Sequence, residues 1–190
     1  SLTGDQNRIE AIVVRRDGAR GVVADNASRL WLWNTDTLDR EDRREVRGLK
    51  VNALTWTPDG RHVVVAGATI RETPREQDPT LGGGEIRFIP ADRSEDSKRS
   101  IADKGPFAPI ASIAIRPDGQ QLAAGLEDGT VRLYQCKQQD GKGSLSGEPE
   151  RLKVSENKSP VRFVAYAVDG SLVVLTDEGV GRWDLATRQQ

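Results

Sequence analysis

The chain has no methionine, one histidine (His62) and one cysteine (Cys136) in 190 residues. A single cysteine excludes an internal disulfide framework and accords with a reducing compartment. With His62 and Cys136 in separate repeats, no nucleophile has an adjacent base, so no catalytic residue is assigned. No His/Cys/Asp cluster has zinc spacing and no Asp-x-Asp-x-Asp-Gly loop offers calcium ligands, so neither a metal nor a cofactor is expected. Apolar runs stay far short of the ~20 residues of a membrane span, and no charged-then-apolar leader opens the chain. Net charge is -1, from 28 basic and 29 acidic residues. That balance gives no field to recruit nucleic acid or an anionic membrane. Without methionine even at position 1, the chain is expected to be a processed product or a piece of something longer.

What is present is a repeat. Asp-Gly closes a short apolar run four times, in IEAIVVRRDG (9–18), VNALTWTPDG (51–60), IASIAIRPDG (110–119) and VRFVAYAVDG (161–170). The four windows share an aliphatic first residue (Ile9, Val51, Ile110, Val161), an aliphatic fourth (Ile12, Leu54, Ile113, Val164) and a large apolar sixth (Val14, Trp56, Ile115, Tyr166). Their glycines, at 18, 60, 119 and 170, are spaced by 42, 59 and 51 residues. The shortest spacing falls in the ~40–45-residue period of a four-stranded propeller unit, and the other two read as that unit with insertions.

The third repeat shows the pattern most fully. Ile110–Ile115 reads as an inner strand and Pro117-Asp118-Gly119 as a tight turn. Gln121–Gly125 is a second strand, Glu127–Thr130 a second turn and Val131–Tyr134 a third strand alternating with period two. A polar outer strand is expected near Glu150–Val154. The stretch IRPDGQQLAAGLEDGTVRLY resembles the WD40 family, and Trp183-Asp184 supplies its name-giving dipeptide, where the first repeat has Trp33-Asn34. The resemblance implies an all-β propeller segment of about four four-stranded antiparallel blades, the last incomplete. The blades are expected at 1–50, 51–104 (insertion 69–84), 105–157 (insertion 138–147) and 158–190, the last lacking its outer strand. The family's Gly-His pair before the inner strand is missing. Asp25, Asp128 and Asp177 stand at its aspartate turn position, but the full buried network cannot form, so apolar packing between blades is expected to carry more of the stability. His62 is expected to be an exposed strand-start residue and Cys136 a surface thiol.

Four blades of seven- or eight-fold curvature leave two apolar faces in water, which monomers seldom tolerate. Further blades in a longer native chain, a homodimer closing an eight-bladed ring, or a true four-bladed ring would each resolve this.

The resemblance implies partner binding by loops on a rigid scaffold. Residues flanking the inner strands, Arg8, Glu10, Lys50, Asn52 and Arg162, are candidates for reading a charged protein or peptide. The insertion 69–84 adds Arg71, Glu72 and Arg75, and its Gly82-Gly83-Gly84 gives backbone freedom. The segment 138–147 reads as a flexible linker and the run Arg40–Arg47 as a solvated outer strand or turn. The expectation is therefore a cytoplasmic, non-catalytic interaction scaffold that binds a protein or peptide and neither nucleic acid nor a membrane. The alternatives are a sensory or autoinhibitory domain of a bacterial signalling protein, and a propeller hydrolase or lyase.

Overall fold

In the computed structural model the described residues are 8–71, 80–92, 101–104, 107–139 and 142–185. Among them every regular element is a β-strand. The first sheet is β1 (Ile9–Val14), β2 (Arg20–Asp25), β3 (Arg29–Asn34) and β4 (Arg40–Glu45). The second is β5 (Leu49–Trp56), β6 (His62–Arg71), β7 (Thr80–Pro90) and β8 (Ile101–Lys104). The third is β9 (Ile110–Ile115), β10 (Gln121–Leu126), β11 (Thr130–Gln139) and β12 (Lys142–Lys153). The fourth has three strands, β13 (Val161–Tyr166), β14 (Leu172–Thr176) and β15 (Gly179–Trp183). Each sheet is a simple antiparallel meander in chain order.

The Asp-Gly corners close each inner strand by one device. The glycine N–H donates to the carbonyl three residues back, in Gly18 to Arg15, Gly60 to Thr57, Gly119 to Arg116 and Gly170 to Ala167. The aspartate Oδ1 accepts the N–H two residues on, from Ala19, Arg61, Gln120 and Ser171. The glycines take φ between 68° and 85°, a left-handed region that side chains resist.

The sheets stack face to face through three apolar cores. Val22, Leu30 and Leu32 of the first sheet meet Leu49, Val51, Trp56 and Val63 of the second. Ala53, Ala66, Ile86 and Phe88 meet Ile110, Ile113, Leu122 and Tyr134. Ala123, Val131 and Leu133 meet Val161, Val164, Leu172 and Trp183. Each inner strand, β1, β5, β9 and β13, neighbours the next, so the inner strands gather about one axis while the outer strands diverge.

Several expectations are corrected. Within the segment 69–84 the described residues are paired strand, joining Arg71 to Thr80 and Ile70 to Leu81, with Ala68 opposite Gly84, and 72–79 lie outside the described residues. Gly84 is needed for contact, since a Cβ there would lie 2.2 Å from the Phe107 ring. The described residues of 138–147 are likewise paired strand, Gln139 with Lys142 through Gln135 with Ser146, so β12 begins well before Glu150. Its Gly143 lies against Phe88 of the second sheet, where a Cβ would be 2.4 Å from the ring. His62 is buried, with its ring edge-on to Phe88 at 6.3 Å. Strand ends read from turn residues therefore fell short, because pairing continues wherever a neighbouring sheet offers a surface to pack on. The run Arg40–Arg47 does supply an outer strand, β4, with mostly exposed side chains.

Candidate partner-binding surface

At one end of the stack, here the upper end, the inner strands begin and the turns between second and third strands sit beside them. Asn26 N–H donates to the Arg8 carbonyl and Glu127 N–H to that of Pro109, binding turn to strand entrance. All four inner strands carry a β-bulge here, after Ile9, Val51, Ile110 and Val161 or their partners. A bulge leaves one residue outside the ladder and re-aims its side chain. The residues it releases are Glu10, Asn52, Ala111 and Arg162, so three of the candidates occupy one repeat position.

Each is engaged by a partner within the chain. Arg8 donates twice to Glu10 Oε1, at 2.9 and 2.7 Å. Asn52 Nδ2 donates to the Ile110 carbonyl at 2.9 Å. Arg162 grips Asp177 with two bonds of 2.9 and 2.8 Å, and its guanidinium holds that carboxyl below the usual range. Lys50 is half-buried on β5, two residues before Asn52. Arg71 ends β6 at the same end of the second sheet, while Glu72 and Arg75 lie outside the described residues.

The three turn aspartates have diverged. Asp25 accepts from the N–H groups of Ala27 and Arg29, from Arg29 Nε at 2.8 Å and from Trp31 Nε1 at 3.1 Å. Burial pushes its pKa up, but these bonds prevail and hold it below the ordinary value. The tryptophan it holds is Trp31, two residues before the Trp33-Asn34 dipeptide, so this is a link of Asp25's own, with arginine beside it. Asp128 only accepts from Thr130, while Asp177 faces the surface and takes Arg162. Sequence reading missed the connector lock beside it. Glu178 accepts from Ser155 Oγ at 3.0 Å and Asn157 Nδ2 at 2.7 Å, and Asp177 N–H donates to Ser159 Oγ. Serines and an asparagine around a Glu-Gly turn carry no pattern that would reveal it.

His62 and Cys136 lie in different sheets. Among the described residues no group of three or more His, Cys, Asp or Glu side chains is placed to hold a metal. Cys136 is half-buried rather than on the surface, and burial pushes its thiol up to about 11. No helix among the described residues is long and apolar enough to cross a membrane.

A family model described as WD domain, G-beta repeat, matches residues 99–135. The chain is 30% identical over 134 residues to translation initiation factor 3 subunit I of Nematostella vectensis, covering 70% of this chain and 40% of that protein. The human protein of the same name is 30% identical over 127 residues, covering 67% of this chain and 38% of its own length. The chain therefore spans about 40% of the curated relatives it matches. Those relatives are animal proteins, and they lend no support to a bacterial signalling context. Among solved structures, the whole chain superposes on 52% of the chain titled RRP9 WD40 repeats, with a TM-score of 0.73 at 16% identity. It also superposes, over 97% of its length, on 51% of a chain in a mitotic checkpoint complex, with a TM-score of 0.67 at 13% identity. With its meandering sheets stacked about one axis and its repeated Asp-Gly corners, this chain is a WD40-repeat protein of the β-propeller family.

Proposed function

We propose that the chain is a non-catalytic protein-interaction module whose partner-binding surface is its upper end. The observation that carries this reading is the shared bulge, which sets Glu10, Asn52 and Arg162 at equivalent places on successive inner strands. Rigid sheets hold that surface, so a docking peptide or protein costs little ordering of the scaffold. Both charge signs are present and paired, which suits a partner with charged side chains that exchange into those pairs. Arg71 extends the same end from the second blade, and Glu72 and Arg75, outside the described residues, are proposed to join it. Relatives named as subunits of an initiation factor, and a neighbour in a checkpoint complex, fit a protein that works inside assemblies. Translation-factor relatives also fit a cytoplasmic setting. The arc is read as part of a larger ring, completed by further blades or by a second copy.

The test is capture of partner proteins by the immobilised chain, followed by crosslinking at the upper end. Lys50→Glu with Arg162→Glu should abolish capture while thermal unfolding stays unchanged. Undiminished capture by a folded double variant would remove these residues from the surface.

A further inference from the structure

The ion pairs of the upper end are layered, and the layering differs between the two halves of the arc. On the first and second sheets the carboxylate lies beneath and the guanidinium outside. Glu10 is 18% exposed under Arg8 at 76%. Asp25 is buried beneath Arg29, and Glu85 beneath Arg87. Glu45 is shared by Arg43 and Arg47, and Arg47 stands out from it at 90% exposure. Lys50 makes no ion pair among the described residues, so its charge is uncompensated there.

On the third and fourth sheets that order is lost or reversed. Glu156 is 86% exposed against 57% for Lys153, and Arg162 and Asp177 are alike at 55%. Glu127 is exposed and in no ion pair among the described residues. Asp128 accepts from Thr130, and Glu178 from Ser155 and Asn157, neutral donors that leave both carboxylates their charge. Against them the connector adds Lys158, exposed.

A group approaching this end therefore meets cations first over two sheets and carboxylates first over the other two. An outward guanidinium can take a second acid without baring the one beneath it. Arg8 gives Nε and Nη2 to Glu10, leaving Nη1 for an incoming acceptor.

We propose that the upper end takes an acidic segment of a partner protein, seated over the first and second sheets along Arg8, Arg47 and Lys50. Glu127, Asp128 and Glu178 repel that segment from the third and fourth sheets and so fix its placement. The seat belongs to the upper-end surface proposed above and rests on that reading.

The probe is a fluorescein-labelled Glu-Ser repeat peptide, with a Lys-Ser repeat as its counterpart. Each is titrated with the whole chain at low ionic strength and read by anisotropy. The Glu-Ser peptide should bind the more tightly. Arg47→Gln with Lys50→Gln should weaken it by about fivefold, and salt raised to about 0.15 M should weaken it again. Arg16→Gln with Arg61→Gln removes the same charge from exposed side chains at the Asp-Gly corners of the opposite end, and should leave binding unchanged. Thermal unfolding of both pairs should match the unaltered chain. Preference for the Lys-Ser peptide, equal loss in the two pairs, or no binding of the Glu-Ser peptide would overturn the acidic partner. Those results would leave the upper end itself in place, which only undiminished capture by the Lys50→Glu, Arg162→Glu chain removes. A single-stranded RNA bound more tightly than the Glu-Ser peptide, through Arg47 and Lys50, would overturn the choice of a protein.

Discussion

Asn52 donates its side-chain amide to the Ile110 carbonyl at 2.9 Å, joining the bulge of one inner strand to the first residue of the next. The bond spans two blades and is partly shielded from water, so it acts on how the sheets are spaced. Asn52→Ala should cost about 1 kcal/mol in urea unfolding. Asn52→Asp should cost more, because a carboxylate would face a carbonyl oxygen.

Gly67 and Gly18 separate space from backbone conformation. A Cβ on Gly67 would stand 1.9 Å from the Lys50 carbonyl oxygen, so β5 and β6 would have to part. Gly67→Ala should lose about 1–3 kcal/mol. Gly18 has open space around it but φ of 78°, so Gly18→Ala should lose only about 1 kcal/mol. Thermal unfolding of the two variants should keep that order.

Asp25 links stability to acid. Its folded pKa lies below the ordinary value, so folding favours the carboxylate. Its contribution is complete above the unfolded pKa of about 3.9 and is lost as pH falls through the lower folded value. Asp25→Asn should cost about 1.5–3 kcal/mol at pH 7, since it weakens bonds to Arg29 and Trp31. The gap between the two proteins in urea titrations should narrow below pH 4 and be widest at neutrality.

Cys136 should be slow to react. With its thiol pushed up to about 11, roughly a thousandth is thiolate at pH 8. Modification should be sluggish in buffer and fast in denaturant. Equal rates in both would place the thiol in water.

Much of the blade was legible because it is local. The Asp-Gly corners need only their own glycine φ and aspartate side chain, and residues 110–134 carry an alternation that needs no neighbour. The strand pairing of 70–71 with 80–81 and of 138–139 with 142–143 was not legible. Their glycines look like linkers in sequence, yet Gly84 and Gly143 are small because Phe107 and Phe88 lie against them. His62 was misplaced for the same reason, since its cover comes from the adjoining strands.

Of the candidate surface, the sequence could nominate Glu10, Asn52 and Arg162 as flanking the inner strands, but not their common bulge. A bulge is a property of two paired strands, and a single strand does not announce it. Two of their partners, Asp177 for Arg162 and the Ile110 carbonyl for Asn52, are distant in sequence and are brought near only by the meander and by the stacking of sheets.

By itself the sequence determined the repeat, its corners and its alternating strands, because turn chemistry and side-chain period act over a few residues. Tertiary structure alone decided which faces are seated and which are bare. Ile9 and Val161 occupy one repeat position, and only the presence of a small-residue sheet against Val161 makes one buried and the other exposed.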